Sequence, residues 1–182
     1  MTILLPAPAR DCDPTGAAVA WRLVGDAGHD IGFATPAGRP AKADPRMLTG
    51  KGLGPWKALL RARADAREAY AAMVRAPEFR SPLRYADLSP EGRDLDGLLL
   101  PGGHAPGMRS YLESRELQDM VCAWMKADRP LAAICHGVVL AARSIDSETN
   151  NSILFGRKTT ALLQSQELTA WWLTRAWLGS YY

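Results

Sequence analysis

The ten-residue stretch Leu131-Ala-Ala-Ile-Cys135-His136-Gly137-Val-Val-Leu140 does most to limit what this chain can fold into. Its first half, entered after Arg129-Pro130, is small and apolar and suits a short buried strand. Val138 to Ala142 suits a buried helix, so Cys135 falls on the corner between them. A side chain on a sharp strand-to-helix turn stands exposed at the carboxyl edge of a sheet, facing the N–H groups of the first helical turn. Those conditions lower a thiol pKa and keep the thiolate accessible. The opposing reading is an inert core cysteine, because unpaired Cys is among the most buried residue types.

A second stretch bears on that choice. Asp96-Gly-Leu-Leu-Leu-Pro101-Gly102-Gly103-His104 is another apolar run, closed by a glycine pair that can bring backbone N–H groups close to a ligand. Two buried strands ending in a Gly-Gly turn and a Cys corner make an oxyanion site. Leu-Leu-Leu-Pro-Gly-Gly-His, followed after a helix-sized gap by Ala-Ile-Cys-His-Gly, resembles the PfpI/ThiJ superfamily within the class I glutamine amidotransferase-like fold. The branch it is most similar to is that of the glyoxalase III-like heat-shock chaperones. Ala27 to Gly38 matches that family's early helix end, strand and turn, and Thr159-Thr160 to Glu167 matches a later one.

The resemblance implies one domain over 1–182: a three-layer α/β/α sandwich with a mostly parallel, doubly wound, flavodoxin-like sheet and a nucleophile elbow at Cys135. It implies Cys135 as nucleophile with His136 as its neighbour, although adjacency alone does not give a Cys–His hydrogen bond. Gly102 and Gly103 are the expected oxyanion donors, and His104 either lines the pocket or bonds a loop carbonyl. Relatives carry a glutamate on the first helix that approaches the cysteine. Counting back from the helix-ending Gly28 puts its counterpart at Gly16, which cannot do acid–base work. Asp13 is the nearest carboxylate that would stand in, then Asp11. The plainer reading of Asp13-Pro14-Thr15 is a turn and helix cap.

Composition narrows the classes. With 47% hydrophobic and 23% charged residues, 182 residues are enough for one well-buried core. A net charge of +3, without a block of like charges or basic–aromatic alternation, speaks against nucleic acid and for a small-molecule or protein partner. The amino terminus lacks a signal-peptide pattern and no long apolar run occurs, so a cytoplasmic protein with no membrane partner is expected. Cys12, which reads as lying in an exposed loop, Cys122 and Cys135 have no metal-ligand spacing, so neither a disulfide framework nor a metal is expected. No cofactor is expected either, and a homodimer is.

Along the chain, Ile3-Leu4-Leu5, a helix capped at Thr15 and running to Gly28, and the strand Ile31 to Thr35 form a β-α-β unit. Pro36 to Pro55 reads as a polar insertion of the kind that lies over a site. Trp56 to Val74 reads as a helix broken near Ala64-Asp65, with Leu59, Leu60, Tyr70 and Met73 buried. Pro77 to Arg84 is irregular, and Asp87 to Glu91 is a short capped turn. Met108 to Leu112 and Arg115 to Ala127 are helices, with Cys122 simply packed. Ser144 to Asn151 is a polar loop, Ile153 to Phe155 and Lys158 to Ala161 form a hairpin or two short strands, and Gln166 to Leu178 is a last helix. By the resemblance, relatives continue through one more strand and helix, so either a truncated product or a trimmed fold with an exposed sheet edge is expected.

Three functions compete. The first is a cysteine-dependent enzyme of glyoxalase III type acting on small reactive carbonyls, taking a 2-oxoaldehyde to a 2-hydroxy acid. The second is a catalytically weak stress chaperone or thiol redox sensor, favoured by the glycine at position 16. The third is a peptidase or amidase. Glutamine hydrolysis ranks low, because Ala133 stands where amidotransferases place glycine and no histidine follows His136.

Overall fold

The computed structural model describes residues 1–89, 94–179 and 181. Among them, five strands form one sheet in the order β3-β2-β1-β4-β5, every pairing parallel. The strands are β1 Thr2–Pro6, β2 Asp30–Thr35, β3 Leu83–Arg84, β4 Gly97–Leu100 and β5 Leu131–Ala133. β2-β1-β4-β5 is the flavodoxin-like core, and the two-residue β3 extends its outer edge. The order in which strands are added to the sheet reverses between β1 and β4, and ligands of open α/β sheets bind beyond the strand ends at such a point.

Alternation along the strands builds three layers. Leu4, Leu98 and Leu100 face one cluster with Met120, Val121, Trp124 and Leu140. Leu5, Phe33 and Leu99 face the other, with Ala17, Ala18, Ala69, Met73 and Phe79. The first face is covered by α6 Arg109–Leu112, α7 Arg115–Lys126 and α8 Gly137–Arg143. The second is covered by the π-helical turn Thr15–Val19 with its continuation α1 Ala20–Asp26, by α4 Ala64–Met73 and by α5 Pro77–Arg80. The first core is anchored by α7: the Ser114 hydroxyl accepts from the Leu117 N–H at 3.3 Å, and Leu117, Met120, Val121 and Trp124 fall on one buried face. Trp124 Nε1 then donates to the Pro130 carbonyl at 2.8 Å, and the Arg129 guanidinium lies 3.5 Å over the Trp124 ring. These contacts fix the chain where it enters β5, and so aim the elbow that follows.

The insertion after β2 contains α2 Pro45–Thr49, capped by Asp44, whose Oδ1 accepts from the Arg46 N–H at 2.8 Å. It leads to α3 Lys57–Leu60. Instead of covering the thiol, it packs through Leu53 against Ala105, Leu178 and Tyr181, at the end of the last helix, α9 Gln164–Leu178. The Tyr181 hydroxyl donates to Asp44 Oδ2.

Several sequence expectations need correction. The break between α3 and α4 turns Leu59 outward, 74% exposed, because four residues of helix end before that face meets the core. Pro77 to Arg84 carries α5 and β3 where irregular chain was expected. No strands form at 153–161; a lone antiparallel bridge joins Ile145 to Ser152 and turns fill the rest. β5 is an edge strand with Ala132 exposed, not a buried one. A 3-10 turn occupies Tyr85–Asp87, while Pro90 and Glu91 of the expected turn, and Ser180 and Tyr182 at the carboxyl end, lie outside the described residues. No helix among the described residues is long and apolar enough to cross a membrane.

Candidate active site at the strand-to-helix elbow

β4 and β5 run side by side, Leu98 against Leu131 and Leu100 against Ala133. The pairing extends one residue further, the Ile134 N–H donating to the Leu100 carbonyl at 2.9 Å. The chain then turns sharply. Cys135 takes φ +53°, a left-handed conformation uncommon for any residue but glycine. Gly137 N–H closes the turn onto the Ile134 carbonyl at 2.9 Å and α8 begins.

Two glycines make this turn possible. A Cβ on Gly102 would stand 2.6 Å from the Cβ of Cys135, and one on Gly137 would stand 2.2 Å from the Leu100 carbonyl oxygen. Neither position has room for a side chain, so the two loops close to backbone distance and press their remaining side chains outward.

Those side chains converge. Cys135 Sγ lies 3.4 Å from His136 Nδ1 and 3.9 Å from His104 Nε2, and the two imidazoles meet edge to face with centroids 4.9 Å apart. Adjacency did not imply the Cys135–His136 contact; the left-handed turn folds the two side chains together. The sulfur, the two imidazoles and the backbone N–H groups of Gly103 and His136, which point at the thiol, thus share one corner of the molecule. The Gly103 N–H thus faces the thiol, while the Gly102 nitrogen faces the Gly16 side, 3.5 Å from where a Gly16 Cβ would stand.

The thiol pKa runs opposite to the sequence expectation. Burial of the sulfur pushes it above its ordinary value, and the negative charges of Asp13 and Glu167 add to that. The hydrogen bonds from His136 and Gly103 act the other way without reversing it. The residue as a whole is still exposed. His136 is shifted down, first by burial and then by the neighbouring His104, with Glu167 opposing. A protonated thiol thus sits beside an imidazole that is neutral at neutral pH.

The expected carboxylates are committed elsewhere. Asp13 Oδ1 accepts from the Thr15 N–H at 3.2 Å and Oδ2 from the Gly16 N–H at 3.1 Å. Asp13, rather than Thr15, therefore caps the first helix. Asp11, at φ +67°, points its Oδ2 at the Gly107 N–H, 2.8 Å away. Gly16 itself adjoins the elbow: a Cβ there would lie 3.5 Å from the Gly102 nitrogen, 3.6 Å from Asp13 Oδ2 and 3.7 Å from Ile134 Cγ2, ordinary contacts that leave room for a side chain.

The elbow opens into a cleft of about 440 Å³ lined by Cys135, His136, Val138 and Val139 on one side and by Thr160, Ala161, Leu162 and Glu167 on the other. Glu167, in the first turn of α9, is a half-buried carboxylate that no motif or spacing assigned to the thiol. Its link with the site is purely tertiary. Of the other cysteines, Cys12 is buried in the second core, not in an exposed loop, and burial raises its pKa far above the ordinary value. Cys122 is half-buried on α7 and also raised by burial.

Comparison with known proteins places this geometry. Residues 8–182 match the family described as ThiJ/PfpI family-like. An uncharacterized protein of Schizosaccharomyces pombe is 29% identical over 154 residues, 79% of this chain and 54% of that protein. A pyridoxal 5'-phosphate synthase subunit PdxT of Renibacterium salmoninarum is 32% identical over 87 residues, 48% of this chain and 37% of that one. The chain thus spans about half or less of these relatives' length. Among solved structures, glyoxalase III of Candida albicans superposes with a TM-score of 0.64 at 17% identity, covering 93% of this chain and 71% of that one.

Proposed function

The chain belongs to the ThiJ/PfpI-like family, and from that premise we propose that it is a cysteine-dependent enzyme of small reactive carbonyls, converting a 2-oxoaldehyde to the 2-hydroxy acid. The observation that carries the reading is the pairing of Cys135 Sγ with His136 Nδ1 at 3.4 Å, the imidazole depressed and the thiol raised. A protonated thiol is a weak nucleophile until a base takes its proton, and a neutral imidazole at that distance is the base.

In this reading Sγ adds to the aldehyde carbon as the thiol proton passes to Nδ1. The carbonyl oxygen, facing the Gly103 and His136 N–H groups, takes a proton to give a thiohemiacetal. The imidazole then removes the C1 hydrogen as a proton and returns a proton to C2 through an enediol. This leaves the thioester of a 2-hydroxy acid, and water cleaves it to release the acid and restore the thiol. Glu167 stabilises the transient imidazolium through its charge. These bond changes need no redox partner. The test is lactate formation from methylglyoxal: the wild-type chain produces it and Cys135→Ser does not. Equal production by the variant overturns the proposal.

A second reading, a catalytically weak stress chaperone, draws on a different observation. α9 leaves Leu168, Trp172 and Leu173 more than half exposed, a strip suited to unfolded apolar segments. Suppression of client aggregation by a chain that makes no lactate would favour it. A redox-sensor role is weakened by the raised thiol, since sensor cysteines are low in pKa.

A further inference from the structure

We propose that His104, Cys135 and His136 also form a binding site for one thiophilic d10 cation, for which Zn²⁺ is the natural occupant, and that occupancy reversibly masks the thiol. The ligating atoms of the three side chains all lie within 4.8 Å of one another. A tetrahedral ion with a Zn–S bond of about 2.3 Å and Zn–N bonds of about 2.0–2.1 Å sets its sulfur and nitrogen ligands about 3.5 Å apart. The two sulfur–nitrogen distances here, 3.4 Å and 3.9 Å, straddle that value.

The donor set gives the class of metal. One thiol and two imidazoles suit Zn²⁺ or Cu⁺ and leave hard oxygen-seeking cations such as Mg²⁺ and Ca²⁺ without ligands. Three protein ligands leave the fourth position open, as in open rather than structural zinc sites; Cys135 and His136 line the 440 Å³ cleft, and His104 and His136 line a neighbouring one of about 310 Å³. The imidazoles come from different loops, after β4 and at the start of α8, so the triad is held by the close packing of Gly102 against the elbow. Binding displaces the thiol proton, so affinity rises with pH.

The inference uses the thiol of the proposed enzyme but does not rest on its reaction, because binding is read without turnover. The full chain is titrated with Co²⁺ as a spectroscopic probe, then with Zn²⁺ in competition. One equivalent should produce visible tetrahedral bands and a near-ultraviolet sulfur-to-cobalt band, both displaced by Zn²⁺. Cys135→Ser should abolish the sulfur band, and His104→Ala and His136→Ala should each weaken binding at least ~10-fold. Cys122→Ser and His29→Ala should leave binding unchanged. In the same chain, Zn²⁺ should slow iodoacetamide labelling of Cys135 at least ~10-fold, with full recovery on chelation. A sulfur band that survives Cys135→Ser, affinity indifferent to His104→Ala, or labelling unaffected by Zn²⁺ overturns the proposal. Lactate formation by the chelator-treated chain is scored separately, so either idea can fail alone.

Discussion

The loops after β1 and after β5 leave the same edge of the sheet, and the resemblance expects one to bring a carboxylate and the other a thiol to a common site. They treat those groups in opposite ways. After β5, glycine at 102 and 137 lets the backbone turn so tightly that Cys135 and His136 are pushed outward, where their polar atoms meet each other and the cleft. After β1, Asp13 and Asp11 bend back to satisfy the N–H groups of Thr15, Gly16 and Gly107. A carboxylate already accepting two backbone hydrogen bonds is poorly placed to shuttle protons; a thiol and an imidazole facing each other are ready to. In the proposed reaction, reactivity follows which loop leaves its side chains to the site, not simply which residues lie near it.

Gly16→Glu breaks the contrast most strongly. It adds on the β1 side a carboxylate that no backbone N–H has claimed, at a position with room for a Cβ beside the Gly102 nitrogen. Methylglyoxal turnover should rise by about 10²- to 10⁴-fold, the usual contribution of a placed acid–base group; unchanged turnover would show that the β1 side was never the limiting half. On the β5 side, His136→Ala should cut kcat/KM by roughly 10²-fold or more. In the wild type, kcat/KM should hold level from pH 6.5, the ordinary histidine value, up to the ionisation of the thiol, and on the acid side fall only as pH drops through the depressed pKa and protonates the base. A pH–rate profile whose acid limb lies above 6.5 would assign the base elsewhere.

The stability effects are smaller. Gly137→Ala drives a methyl group into the Leu100 carbonyl and should cost about 1–3 kcal/mol of unfolding free energy, read from denaturant midpoints. Asp13→Ala removes the helix cap and should cost about 0.5–2 kcal/mol while turnover stays near wild type. Loss of turnover with unchanged stability would make Asp13 a catalytic residue and erase the contrast between the loops.

The fold and the elbow were readable because apolar runs of strand length and glycine-closed turns are local signals. Leu131 to Ala142 carries strand, turn and helix start within a dozen residues, and Gly97 to His104 carries a strand and the glycine turn that closes it. What depends on distant contacts was not readable. The sequence leaves His104 between lining the pocket and bonding a loop carbonyl; it comes within 3.9 Å of Cys135, 31 residues on, because β4 pairs with β5. Glu167 reaches the cleft from α9, past a segment with no regular pattern. Cys12 lies between two aspartates and reads as exposed, yet an isolated bridge to Ala43 turns its side chain into the second core. The thiol pKa was misjudged because the helix-terminus argument left out the burial and the two carboxylates that outweigh it.

A protonated, accessible thiol beside a neutral imidazole is tested most directly by the rate of iodoacetamide labelling at each of the three cysteines, resolved by peptide mass spectrometry from pH 5 to 10 in the metal-free chain. Cys135 should label first at every pH, its rate should inflect above the ordinary thiol value, and Cys12 should stay unlabelled while the chain is folded. Cys12 labelling ahead of Cys135, or an inflection for Cys135 below neutral pH, would contradict that arrangement.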